Sequence, residues 1–328
     1  MLTRVAFLAL ATAFAMAAET HRFTPRNYSR EFSPYMEPAL RIRSGDAVAT
    51  TCVDSEGVDE NGKRVTPPWN PLTGPFYVAG AEPGDTLAVT LDRIRLNRKT
   101  GVASSRISEA AVPPQYLLKH RGPFRGLTWH FDLDGMTATT DLTPGLKNYR
   151  LPLGPFLGCL GTAPSWREAQ SSITVDAHGG NMDYNRLVEG LTVYLPVNVA
   201  GGYLFLGDGH AAQGDGETSG GAIETSMALQ FRASIIKQQP IPSVRAESRD
   251  FYMALGMGKP LEEALQKATA NMLDWLTTGF GLTTEEAHIL LGTSGRFDVV
   301  SIAAPRYVIA CRLEKRLVQR FHPPVDNH

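Results

Sequence analysis

Cysteine is scarce in this chain. Only Cys52, Cys159 and Cys311 occur in 328 residues, and their spacing fits no zinc finger. An odd count leaves at least one thiol free or shared between chains, and each lies among apolar neighbours, so buried structural thiols are expected. An excess of charge is also missing. Lys and Arg number 32 against 33 Asp and Glu, a formal net charge of −1. No basic run or Arg-and-aromatic stripe is present, which argues against a nucleic-acid partner. Beyond the first residues, no run is long and apolar enough to span a bilayer, so no membrane partner is expected for the mature chain. There is no internal repeat, no low-complexity segment and no serine nucleophile elbow.

What is there begins with a leader. Arg4 precedes a short apolar run over residues 5–15, and Ala15-Met16-Ala17 is a small-x-small site. Residues 1–17 read as a secretory signal peptide cleaved after Ala17, which implies a periplasmic or extracellular protein. The remainder, 43% hydrophobic and 20% charged overall, is ordinary globular composition and long enough for two packed units.

Residues 176–224 are where chemistry is concentrated. Asp176 and His178 are two apart, as are Asp208 and His210. On extended backbone, each pair puts both side chains on one side. Glycines crowd around them, at 179, 180, 201, 202, 207, 209, 214, 216, 220 and 221, and acids follow at Asp183, Asp215, Glu217 and Glu224. Glycine, Asp and Asn are also the residues of plain hairpin turns. Two carboxylate–imidazole pairs within one hairpin's reach favour a metal or hydrolytic site at strand ends.

Elsewhere the pattern is mostly that of strands. Residues 39–52 alternate around Ser44-Gly45-Asp46, and residues 76–97 around Glu82-Pro83-Gly84-Asp85, both with hairpin signatures. Residues 99–114 read as a polar surface loop. Residues 151–164 are punctuated by Pro and Gly, as where backbone approaches a site. Pro196 and Gly201-Gly202 split residues 191–206 into two strands. Residues 261–276 have helical spacing with an acidic first turn, and Thr283 or Thr284 caps a second helix. His288 falls inside that helix, at a packing or surface position. The expected fold is mainly β. A β-sandwich or barrel-like N-terminal unit (residues 18–237) is followed by a smaller α/β C-terminal part (residues 238–328).

The words HGGNMDYNRL, LTVYLPVNVAGGYLFLGD and GDGHAAQGDGE, in this order, resemble the acetamidase/formamidase family. So do SGDAV with the following Asp54, NPLTGPFYVAGAEPGDTLAV, LGCLGTAPS and EEALQKATANMLDWLTTGFGLTTEEAHILLG, so the likeness runs from about residue 42 to about residue 317. The resemblance implies hydrolysis of short aliphatic amides to ammonia and a carboxylate. It also implies a homo-oligomer, and makes Asp54 a candidate ligand.

Amide cleavage needs an activated nucleophile and a stabilised oxyanion, and a divalent metal can supply both. The ligand candidates are Asp54, His178, Asp183, Asp208 and His210, of which three or four are expected to bind. His with Asp suits zinc first, with calcium or manganese as alternatives. Glu217 is the expected general base with Glu224 in reserve, and Asn181 and Gln213 are expected to hold the amide or oxyanion. Cys159 has no local base to make it a nucleophile. The competing readings are a non-catalytic β-rich module with structural cation loops and a hydrolase of a different amide.

Overall fold

The structure, a computed structural model, describes residues 18–120, 125–140 and 144–318. The expected signal segment lies outside them. Two sheets face each other across the main core. The larger has nine strands, in the order Thr20–Arg22, Ala47–Cys52, Met227–Ile236, Thr86–Leu96, Thr192–Pro196, Arg245–Glu247, Phe251–Gly258, Tyr307–Glu314, Arg296–Ser301. The smaller has six: Val175–Asp176, Gly179–Asn181, Phe156–Gly161, Leu204–His210, Leu72–Ala79, Leu40–Arg43. Their inner faces interleave Val48, Leu87, Val89 and Phe231 with Ile42, Phe76, Leu160 and Leu206, all buried. Phe76 and Phe231 meet edge to face across the gap, ring centroids 5.1 Å apart. Each such side chain contributes about 1.5–3 kcal/mol by leaving water.

The two expected hairpins are corners. Leu40–Arg43 pairs in parallel with Leu72–Ala79 in the smaller sheet, while Ala47–Cys52 pairs with Met227–Ile236 in the larger. Leu72–Ala79 and Thr86–Leu96 separate in the same way, as do Thr192–Pro196 and Leu204–His210. Alternation marks the buried face of each strand, and it reads the same whether two strands pair or pack face to face. What decides is the turn. At the first corner the buried Asp46 accepts the backbone N–H groups of Glu19 and Arg43, both at 2.9 Å, and meets His21 Nε2 at 3.0 Å. Gly45 N–H then donates to Ala233 O of the larger sheet.

Residues after 238 continue the larger sheet. Thr192–Pro196 is hydrogen-bonded on one side to Thr86–Leu96 and on the other to Arg245–Glu247, so the boundary expected near 238 is no break in the sheet. Helix Leu261–Asp274 lies on strand Phe251–Gly258. At Gly256 an added Cβ would stand 2.2 Å from Ala268 N and 2.3 Å from Ala264 O, so only glycine lets the helix come this close. The helix buries Ala264, Ala268 and Met272 and runs into a π turn at Trp275–Gly279. The second helix, Thr284–Ser294, starts at a Thr283–Glu286 capping box, as its sequence suggests. His288 is exposed on it.

The stretch expected as a surface loop at 99–114 contains a strand, Thr100–Ser104, which forms a four-stranded sheet with Gly126–Asp132, Thr137–Thr139 and Leu151–Pro152. Trp129, Phe131, Ala211 and Ile223 fill a small core beneath that sheet. Cys52, Cys159 and Cys311 are all free and buried. Among the described residues no helix is long and apolar enough to cross a membrane.

Candidate metal centre and its pocket

The centre is built on strand Leu204–His210, whose last residues carry Asp208 and His210 on one side. Their Oδ2 and Nε2 atoms are 3.3 Å apart. Strand Phe156–Gly161 runs beside it, pairing Leu157 with Gly209 and Cys159 with Gly207, so Gly158 faces Asp208. The third member arrives from the other side of the same strand: Gly158 O accepts the N–H groups of Met182 and Asp183, at 2.9 and 3.1 Å. One ligand atom from each of Asp183, Asp208 and His210 lies within 4.8 Å of the others, and all three residues are buried.

Gly158 makes room for the group. A Cβ there would lie 2.5 Å from Asp208 Oδ2, 2.8 Å from Asp183 Oδ1 and 2.8 Å from His210 Cε1. Its backbone is not left-handed, so glycine is used here for close approach alone. Left-handed backbone is instead used by Trp69, Asn70, Asp183, Asp208 and Glu217, with φ between 48° and 79°. All five line one pocket. Non-glycine residues adopt this region rarely and at a cost, which is tolerated where it aims a side chain.

Glu224 Oε2 stands 3.3 Å from His210 Nε2. Glu217 lies against the Asp183 carboxyl and accepts the Ser301 hydroxyl at 2.8 Å. Four carboxyls thus surround one imidazole. Burial would lower the pKa of His210, but the Glu224 and Asp208 carboxylates override it and hold it well above its ordinary value. Burial pushes Asp208 up to about 7 against the pull of His210. Burial also raises Asp183, with the neighbouring Glu217 charge adding to it, and it raises Glu217 in turn. For Glu224 burial pushes upward, but the attraction of His210 together with hydrogen bonds from His210, Asp208 and Ser55 prevails and lowers its pKa.

Not every expected residue joins the group. Asp54 is buried against Arg98, with Oδ2 accepting from Nη2 at 2.7 Å and Oδ1 from the N–H groups of Glu56 and Val58. Its oxygens are committed, and it holds the loop wall, not the centre. His178 is buried edge-on to Phe32, ring centroids 5.2 Å apart, and burial takes it down to about 4, so the ring is neutral. It lies in the tight turn between strands Val175–Asp176 and Gly179–Asn181, and neither it nor Asp176, which is paired with Arg306, joins the group of Asp183, Asp208 and His210. Asn181 and Gln213, expected to hold the amide or oxyanion, both bond to Asp183; Asn181 also lines the pocket, and Gln213 Oε1 is buried without a hydrogen-bond partner among the described residues. Asn181 Nδ2 donates to Asp183 Oδ2 at 2.7 Å, and its Oδ1 accepts from Asn70 at 2.6 Å and from the Cys159 thiol at 2.9 Å. Gln213 Nε2 donates to Asp183 O at 2.6 Å. Both position Asp183.

The turn-rich loop at 67–75 offers Trp69, Asn70 and Thr73 to line a pocket or cap a core, and the structure brings Asn70 to the centre; Arg98 is an addition that sequence reading passes over. Asn70 Nδ2 also donates to Asp208 Oδ2 at 3.0 Å, tying Asp208 to Asn181. Its signal was the loop PPWNPLTGP, where Asn before proline in a turn suggests unusual backbone. Nothing local marks Arg98. The Cys159 thiol sits under the centre, and burial with the Asp208 and Asp183 charges raises it well above the ordinary thiol value, the opposite of an activated nucleophile.

Fold and centre together define a multi-sheet β protein with an acid-rich, single-imidazole centre at the floor of a pocket of about 750 Å³. The sequence profile of the Acetamidase/Formamidase family matches residues 166–310. The formamidase of Methylophilus methylotrophus is 27% identical over 318 residues, covering 72% of this chain and 75% of that one. A Schizosaccharomyces pombe relative named for formamidase is 26% identical, and the chain spans 64% of its length, with the match covering 64% of this chain. The crystal structure of an acetamidase from Yersinia enterocolitica superposes with a TM-score of 0.80 at 28% identity, covering 93% of this chain and 94% of that one. The profile, the relatives and the superposed structure make this chain similar to the acetamidase/formamidase family, and the likeness supports a hydrolase acting on amide C–N bonds.

Proposed function

We propose that this protein is a metal-dependent amidohydrolase that cleaves primary carboxamides, short aliphatic ones included, to ammonia and a carboxylate. The observation that carries the reading is the convergence of Asp183, Asp208 and His210 on the space kept open by Gly158. The donor set suits a divalent cation. Asp183 Oδ1, Asp208 Oδ1 and His210 Nδ1 are buried without a hydrogen-bond partner, and the surplus of acid over base is what a cation offsets. Two carboxylates with an imidazole favour zinc, with manganese or calcium the alternatives.

Asp183, Asp208 and His210 would hold the ion, which when bound supplies Lewis acidity towards a carbonyl and acidifies water. Asn70 and Asn181 fix the two carboxylates through their shared hydrogen bonds. Glu217 is the proton carrier. Ser301 anchors its Oε2, and the carboxyl takes a proton from water and delivers it to the departing nitrogen. Its raised pKa brings it nearer the working range of such a base. Glu224 is tied to His210 and steadies that ring.

Elemental analysis of the purified protein with ammonia assays on formamide and acetamide tests the reading. About one divalent ion per chain and turnover abolished by chelator are expected. Metal-free protein with chelator-insensitive turnover refutes the metal. Absence of ammonia from every amide leaves the structural-cation module instead. Two further parts of the proposal have their own tests. Export through residues 1–17 predicts a mature N-terminus at Ala18 in the periplasmic or culture fraction. Assembly as a homo-oligomer predicts a multiple of the chain mass by light scattering.

A further inference from the structure

The pocket is far larger than the smallest amides. At about the volume of a water per heavy atom, acetamide fills roughly 100 Å³, whereas the cavity encloses about 750 Å³. Its wall is graded. Asp183, Asp208, His210 and Glu217 form a buried acidic floor. Above them, half-buried Ile173, Ile302 and Tyr307 and the exposed Trp69 give an apolar lining. Trp69 is 67% exposed on left-handed backbone, an arrangement that presents its ring to the opening.

The lip carries Lys259. Its ammonium stands 5.0 Å from the centroid of the Tyr307 ring; among the described residues no carboxylate is ion-paired with it, the neighbouring Glu263 accepting its backbone N–H at 3.0 Å and the Lys267 ammonium at 2.6 Å. The other charged lip groups are engaged: Glu56 with Arg64 at 2.9 Å and Glu109 with Arg106 at 3.6 Å. Charge therefore runs from negative at the floor to an available cation at the mouth. A substrate carrying an anion can only lie with its amide inward and the anion outward, since the reverse sets it among four carboxyls.

We propose that the preferred substrates are primary amides with an acyl chain that crosses the apolar wall and ends in a carboxylate held by Lys259. This rests on the amide-hydrolase reading above and names its substrate class. Lys259 is a specificity residue, with no part in the bond-breaking step.

The test compares butyramide and valeramide with the monoamides of succinic, glutaric and adipic acids, and with ω-amino amides of matching length. Wild type, Lys259→Met and Lys259→Arg are assayed, and binding of the same compounds is measured by calorimetry. The wild type should favour an acid-tailed amide over its neutral counterpart by about fivefold in kcat/KM, the size of an exposed ion pair. Lys259→Met should remove that preference, leave the neutral amides unchanged and weaken binding of the acid tails, while Lys259→Arg keeps it. Equal rates for acid and neutral tails, a preference that survives Lys259→Met, or better turnover of amino tails overturns the proposal. If no amide releases ammonia, the hydrolase reading fails, and calorimetry still decides whether Lys259 selects an anion.

Discussion

Gly158→Ala is the most direct perturbation of the centre, because it touches none of the chemical groups. The added methyl would sit 2.5 Å from Asp208 Oδ2, whereas carbon and oxygen come no closer than about 3.3 Å without repulsion. The carboxyl must retreat by roughly 0.8 Å, and Asp183 and His210 give way beside it, each at 2.8 Å. Displacement of about 1 Å at a reacting centre costs on the order of 100-fold in rate. The backbone at 158 accepts alanine without strain, so the stability cost is overpacking alone, about 1–3 kcal/mol. In a domain of this size that lowers Tm by roughly 2–10 °C. The assay is metal content, kcat/KM for ammonia release and Tm on one preparation. A folded variant with substoichiometric metal and activity down by about two orders of magnitude is expected. Retention of full metal and activity within a few-fold of wild type refutes the claim that the centre occupies the space in front of Gly158.

Arg98→Met strands the buried Asp54 carboxylate, which burial already pushes up despite Arg98. It should destabilise by about 3–5 kcal/mol in urea unfolding, and a loss under about 1 kcal/mol contradicts the burial argument. Cys159→Ser keeps a donor to Asn181, so kcat should stay within about tenfold, the effect of one supporting hydrogen bond; complete inactivation would return Cys159 to candidacy as nucleophile. Asp46 provides the pH prediction. Burial opposes its ionisation, but bonds from His21 and the N–H groups of Glu19 and Arg43 prevail and hold its pKa below the ordinary value. A depressed carboxylate stabilises the fold above its unfolded pKa of about 3.9 and loses that contribution as pH falls below it. Asp46→Asn should therefore cost stability at pH 7 and progressively less below about pH 4; a deficit independent of pH contradicts this origin.

Most of the centre was legible because its signal is local. The two-residue spacing of Asp208 and His210 brings the pair to one side, as extended backbone requires, even though Asp208 itself has φ 59°. The same spacing at Asp176 and His178 carries no such meaning, since the strand Val175–Asp176 stops there and His178 lies in the tight turn to strand Gly179–Asn181. Asn70 and Ser301 reach the centre from 138 and 84 residues away from the groups they bond, Asp208 and Glu217. No periodicity reports such distances. The helices were readable from spacing and caps. The hairpins were misread because face-to-face packing and edge-to-edge pairing write the same alternation, and only a turn contact such as Gly45 to Ala233 separates them.

The unbroken nine-stranded sheet bears on how this protein can be divided. Ser301 steadies Glu217, and Lys259 stands on the lip, yet both follow residue 238. A truncated product ending there would keep every candidate metal ligand and lose the Ser301 hydroxyl that bonds Glu217, the proposed proton carrier. It would also bare the flank of Thr192–Pro196 that Arg245–Glu247 covers, and an unpaired flank of that kind recruits other chains. The two parts share one sheet, so co-expressed fragments should regain solubility only together.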